Sequence, residues 1–291
     1  MRPVVLKLLC VGGWLSLILN VTKASCDMAD YYSGIPALAD GAPELTNRAA
    51  WKGLVGDLIH LLKTTHTTNS YTPGVWNAME DIDSQLSDTN VAYTRMIYNS
   101  GTSLPFNTHG IYWNRTHCFP KSYGICGYGD VNCPGSSTTS QSATDYTDLH
   151  NLHPAQASVN SARGVKPYDE CYATDSTCKQ PAHELASSDT GTNKDESSLP
   201  RWMPPAAVRG DLARSNMYTA LRYNGTSTEE YTEQLTLSSC ACKSTFTQGN
   251  LTTLLKWFDD DPVDTTEATR NNAICNEWQS NRNPFVDYSW L

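Results

Sequence analysis

The stretch Tyr112 to Gly124, YWNRTHCFPKSYG, carries one histidine, His117, two residues after Arg115. Aromatic and β-branched residues from Ile111 onward predict a short strand that Pro120 ends. Alternation along that strand puts Arg115 and His117 on one face and turns Thr116 to the other. A cation beside an imidazole suits an anionic substrate, because it attracts the anion and keeps the ring neutral and able to accept a proton. Downstream, TDLHNLHPAQASVNSARG, Thr147 to Gly164, reads as a short strand followed by a helix begun near Pro154 and closed by Gly164, with Asn160 in its final turns. His117 and Asn160 stand 43 residues apart, so only the fold can bring them together. Taken alone, the pair reads first as a packed histidine and a helix-terminal asparagine.

The elements that must position these residues belong to a 291-residue chain, ample for a substantial apolar core in one large or two small domains. Hydrophobic residues make up 39% and charged residues 18%, a globular balance. At the N-terminus, Arg2 and Lys7 accompany an apolar run from Leu8 to Leu19, followed by small residues at Ala24 and Ser25. This is the layout of a secretory signal peptide over residues 1–24, cleaved near Ala24; the run is short for a membrane anchor. Nine cysteines then remain, so an oxidising compartment would pair most and leave one over. The formal charge of −9 argues mildly against a nucleic-acid partner, although a local patch of Arg and Lys can hold a phosphate on an acidic protein.

Apolar residues at helical spacing predict a core helix over Asn47 to Lys63, with His60 and His66 as structural or surface histidines. Further helices are predicted from Ala206 to Tyr223, Leu251 to Phe258 and Pro262 to Trp278, the last with Asp261 as cap. Polar loops are expected near 134–147 and 173–200, stapled by Cys133 and Cys178. In the mature chain N-x-S/T acceptors fall at Asn114, Asn224 and Asn250; surface glycosylation is expected at the last two, a glycan on a strand at Asn114 being hard to place. One mixed domain over 25–291 is the economical reading.

The order of segments is more specific than any one of them. NRTHCFPKSYG, then TDLHNLHPAQASVNSARG, then Arg209 to Tyr223, then Leu254 to Asp287 closing on NRNPF, together resemble the secreted and periplasmic endonuclease I family of the ββα-metal (His-Me finger) nucleases. YYSGI at Tyr31 to Ile35 and YTPGVWNAMEDID at Tyr71 to Asp83 fit its N-terminal part. The resemblance implies a disulfide-stabilised α+β domain with a ββα-metal motif. It also implies a secreted, monomeric endonuclease without stable membrane association and without strong sequence preference, cutting DNA and perhaps RNA. His117 matches the family's general base and Asn160 its helix ligand to a divalent cation, most often Mg²⁺. Arg115 and Arg163 are the expected phosphate contacts; Arg209 and Arg214 read more readily as salt-bridge residues of a helix.

Three positions depart from the family pattern: Thr116, His153, and Cys118 in place of the usual aliphatic residue. Thr116 stands where a glutamate usually supplies the second metal ligand, and its hydroxyl is a poor substitute around a hard cation. Either cleavage proceeds with Asn160, waters and substrate phosphate completing the metal shell, or a catalytically inactive nucleic-acid-binding or structural protein remains. His153 stands where arginine is common. Cys118 follows His117 and is expected to be buried or disulfide-bonded rather than nucleophilic. No GxSxG or HExxH motif points to another hydrolase.

Overall fold

The computed structural model describes residues 25–44, 46–86, 92–99, 103–105, 108–123, 125, 145–194, 200–223, 235–238 and 247–291. The expected signal segment, the Asn224 acceptor and Cys126, Cys133, Cys240 and Cys242 lie outside them. Two single-turn helices come first. The Asp27 carboxylate caps α1 (Met28–Tyr31), and Pro36 opens α2 (Pro36–Ala39). Asn47 caps α3 (Arg48–Thr65) by accepting from the Ala50 N–H at 3.1 Å. Leu54, Leu58, Ile59 and Leu62 form its buried stripe, two of them in one cluster with Tyr31, Tyr32 and Leu38; His60 is exposed, as its sequence context predicts. α4 (Gly74–Ile82) buries Val75, Trp76 and Met79 against Trp113, Leu149 and Leu152. An antiparallel meander of β1 (Ser84–Leu86), β2 (Ala92–Arg95) and β3 (Ser103–Pro105) follows.

The unit that carries the site is a two-stranded antiparallel pair, β4 (Trp113–His117) with β5 (Leu152–Gln156), leading without a break into α5 (Ala157–Arg163). The register sets Thr116 opposite His153 and His117 opposite Leu152. The helix starts three residues later than the sequence predicts, because Pro154 sits inside β5 across from Arg115. In a two-stranded pair each strand is an edge, where proline's missing donor does no harm. Gly164 closes α5 at φ 54°, a conformation only glycine adopts readily, and its N–H returns to the Asn160 carbonyl.

The polar stretch 173–200, expected as a loop, contributes β6 (Cys178–Lys179) and β7 (Gly191–Asn193), which pair with β8 (Trp202–Met203). Cys178 bonds to Cys171 and so staples this stretch. α6 (Arg209–Arg222), entered by a 3₁₀ turn at Ala206–Val208, is polar in composition yet buried along most of its length. Leu212, Ala213 and Met217 join the main apolar core with Tyr98, Tyr168 and Trp257. Its polar residues find partners instead of water: Arg214 donates to Glu267 at 2.7 Å and Ser215 to the His150 carbonyl at 2.6 Å.

A parallel pair, β9 (Thr236–Ser238) and β10 (Thr247–Asn250), passes into α7 (Leu251–Asp260), whose cap is Asn250. The same Asn250 amide donates to Asp169, so this proposed glycan acceptor is spent on a cap and a tertiary contact. α8 (Thr265–Ala273) begins at an Asp264 cap rather than at Asp261. The Asp261 carboxylate is engaged elsewhere, accepting from the Gly210 N–H at the start of α6, while Asp264 and Glu267 sit in capping-box spacing. A π-helical turn, Ile274–Gln279, ends at left-handed Ser280 before α9 (Pro284–Asp287). The NRNPF segment ties these ends together. Arg282 forks onto Asp287 and the Cys26 carbonyl, and Asn283 donates to the Arg214 carbonyl and caps α9. Cys26–Cys275 fastens the start of the described chain to the same region. Cys118 is a buried free thiol, raised by burial, which answers the question of its state; a nucleophilic role has no exposed thiolate to draw on.

Candidate active site

β4 presents its two faces as alternation requires. Thr116 and Cys118 point inward, 1% and 0% exposed, while Arg115 and His117 remain half-buried on the other face. The Thr116 hydroxyl is buried without a hydrogen-bond partner. Its cross-strand neighbour His153 is also buried, and desolvation holds its imidazole well below the usual histidine range. Thr116 and His153, two of the positions that depart from the family pattern, therefore face each other across β4–β5, and neither carries a charge at neutral pH.

His117 and Asn160 open onto one cavity of about 410 Å³, walled also by Arg115, Thr116, Lys121, Ser122, Arg163 and Val165. Among the described residues the lining includes three cations and no carboxylate. The far wall is a 3₁₀ turn, Lys121–Tyr123, fixed by the Tyr123 hydroxyl donating to the Val165 carbonyl at 2.7 Å. On the near wall, His117 Nε2 lies 3.0 Å from the Tyr146 carbonyl. A carbonyl only accepts, so Nε2 carries the proton and Nδ1 keeps the lone pair. Desolvation in the crowded wall pushes the imidazole down to about 4; the Tyr146 carbonyl opposes this and the positive charges of Arg115, Lys121 and Arg163 add to it. The ring is thus neutral at neutral pH and able to take a proton at Nδ1.

The structure brings both expected phosphate arginines to the cavity; Arg163 has both terminal nitrogens committed, whereas the hydrogen bonds of Arg115 use Nη1 alone. Arg163 is 1% exposed, and its two terminal nitrogens donate to the His117 and Cys118 carbonyls at 2.8 and 2.6 Å. The fork that bidentate phosphate recognition needs is occupied. Instead Arg163 clamps the end of β4 to α5, while its guanidinium packs over the Tyr168 ring at 4.7 Å. Arg115 donates to the Tyr71 carbonyl and to the Thr72 hydroxyl, and lies 3.3 Å over the Tyr71 ring and 3.9 Å over Trp76. Arg214 is bound by Glu267 and Asp211 as a salt-bridge residue, whereas Arg209 donates to backbone carbonyls and the Tyr172 hydroxyl.

Tyr71 and Tyr146 have no counterpart among the residues expected from sequence. A backbone carbonyl as the partner of a base leaves no mark on residue type, and tyrosines 71 and 146 meet only through the fold. For a divalent cation, the cavity offers the Asn160 side-chain oxygen; among the described residues no cluster of three or more His, Cys, Asp or Glu could hold a metal. A single neutral oxygen beside open volume fits Mg²⁺, which keeps several waters and takes few protein ligands. It does not fit zinc, which requires three or four nitrogen, sulfur or carboxylate ligands.

A strand pair running into a helix brings an imidazole and an amide onto one cationic cavity, and by family the protein is a hydrolytic nuclease. The chain belongs to the Endonuclease I family, whose model matches residues 53–289. It is similar to two proteins named extracellular ribonuclease. That of Bacillus amyloliquefaciens is 33% identical over 232 residues, covering 79% of this chain and 69% of the relative. That of Bacillus subtilis (strain 168) is 30% identical over 306 aligned residues, covering 97% and 94%. Among the described residues no helix is long and apolar enough to cross a membrane.

Proposed function

We propose that this chain is a secreted endonuclease that hydrolyses RNA and DNA with little sequence preference, using His117 as general base and Asn160 as the protein ligand of Mg²⁺. The observation that carries this reading is the convergence of His117 and Asn160 on one cavity, with Nε2 held by the Tyr146 carbonyl and Nδ1 left to accept. Nδ1 draws a proton from the attacking water as its oxygen bonds to phosphorus, and the bond to the leaving 3′-oxygen breaks, leaving a 5′-phosphate. Positive groups in the wall favour the phosphodiester and disfavour a protonated imidazole. A bound divalent cation supplies stabilisation of the charge that builds on the phosphate and the leaving oxygen. Secretion follows from the N-terminal segment, cleaved near Ala24, and is supported by the extracellular relatives.

A cavity whose described lining carries cations and no carboxylate also fits a protein that binds nucleic acid without cutting it. One experiment separates the two. Plasmid DNA and a structured RNA are incubated with purified protein in Mg²⁺ or EDTA, alongside His117→Ala. Cutting that needs the cation and disappears in the variant is the expected result. Binding without cutting across a series of divalent ions would overturn the catalytic assignment.

A further inference from the structure

We propose that Arg115, with Tyr71, is a positioning residue for His117 rather than a contact to substrate phosphate, which rests on the reading of His117 as general base. The rings of Tyr71, Tyr146 and His117 pack together, each tyrosine stacked with His117 and the two tyrosines tilted to one another. Tyr71 and Tyr146 lie 4.2 Å apart at 35°, Tyr146 and His117 5.0 Å apart at 20°, and Tyr71 and His117 6.5 Å apart at 23°. Tyr146 therefore acts on the imidazole twice, through its carbonyl on Nε2 and through its ring beside the imidazole plane.

Tyr146 comes from the segment just before β5, and Tyr71 from the turn before α4, so nothing local holds these planes together. Arg115 does. Its guanidinium lies over the rings of both Tyr71 and Trp76, and Trp76 is rooted in the core at 8% exposure. The same guanidinium donates to the Tyr71 carbonyl and the Thr72 hydroxyl, fixing backbone as well as ring. A planar cation stacked on aromatic faces while its edge hydrogen-bonds to the backbone is a geometry that arginine alone can make. Arg115 and His117 share one face of β4, so the strand sets the spacing between the clamp and the ring that it steadies. The outcome is an imidazole whose plane and tautomer are set before substrate arrives, which is where a small misplacement costs most.

The test is steady-state cleavage of a labelled oligonucleotide at saturating Mg²⁺ over a range of NaCl, for Arg115→Met, Tyr71→Ala and Tyr71→Phe. Arg115→Met and Tyr71→Ala are expected to lower kcat by roughly 10- to 100-fold, with KM within about twofold and its salt dependence unchanged. Tyr71→Phe, which keeps the ring, restores kcat to within about threefold of the parent. A raised KM for Arg115→Met, with the slope of log KM against log salt flattened by about one and kcat retained, would mark a phosphate contact and overturn the proposal. Unchanged kcat in both truncations would overturn it too. Melting curves confirm that each variant is folded at the assay temperature, and ¹⁵N spectra of the imidazole read the tautomer independently of turnover, with loss of the single Nε2–H form expected in Tyr71→Ala. Running His117→Ala in parallel keeps the two readings apart: if it still cuts, the base assignment fails; if it is dead while Arg115→Met keeps its kcat, only the positioning role fails.

Discussion

Three desolvated histidines share one electrostatic signature and live in two different places. Burial pushes His117, His66 and His150 each down to about 4. Around His66 and His150 the space is filled. Asp148, fully buried, accepts from the hydroxyls of Tyr218 and Tyr223 at 2.9 and 2.7 Å, from Gln279 at 2.7 Å and from the His150 N–H at 2.9 Å. Burial raises this carboxyl, yet His66, His150 and the hydrogen bonds more than offset it and hold it below the usual range. The cavity beside His150 is only about 20 Å³, whereas His117 faces about 410 Å³. A depressed pKa therefore reports burial in both regions; what separates a reagent from a core residue is room for a substrate next to a nitrogen left free to accept.

The largest expected effect follows directly from that contrast. His117→Ala lowers kcat by about 10²- to 10⁴-fold with little change in melting temperature, while His150→Gln lowers the melting temperature and keeps kcat. The reverse pattern in melting and turnover assays would erase the distinction. Next, Asp148→Ala strands four donors in the core and costs at least about 3 kcal/mol in urea unfolding, with cleavage by the folded fraction intact.

Solution pH probes the same core. The unfolded chain protonates His66 and His150 near 6.5, the folded chain only near 4, so the unfolded state binds more protons between those values. Stability is complete above pH 6.5 and falls as the pH drops toward 4, by up to roughly 3 kcal/mol for each histidine. Urea midpoints that stay flat from pH 7 to 4.5 would contradict this. The smallest effect concerns Thr116, whose buried hydroxyl lacks a partner. Thr116→Val shifts stability by less than about 1 kcal/mol and leaves the half-saturating Mg²⁺ concentration unchanged, as a titration of cleavage rate would read. A raised metal requirement would make the threonine a ligand after all.

Much of the fold was legible because it rests on local signals. Apolar spacing and an asparagine cap located α3 to within two residues, and Gly164 marked the end of α5. The misses share a cause. Pro154 suits a helix start as well as an edge strand, and Asp261 suits a cap until α6 packs against it and takes its carboxylate. Polarity read as loop failed at β6 and β7, where a disulfide and neighbouring strands hold the backbone instead of apolar side chains.

For the site, residue type and order alone determined the family, the histidine and asparagine that could do its chemistry, and the alternation that separates Thr116 from His117. Chain order reaches that far because motif spacing and strand periodicity are properties of the covalent chain. Only the tertiary structure decided which arginines still have donors to offer, which nitrogen of His117 is left to accept a proton, and which histidine opens onto a cavity. Each of those depends on a carbonyl, a ring face or an empty volume supplied from distant segments, and none of these is encoded by the identity of the residue it acts upon.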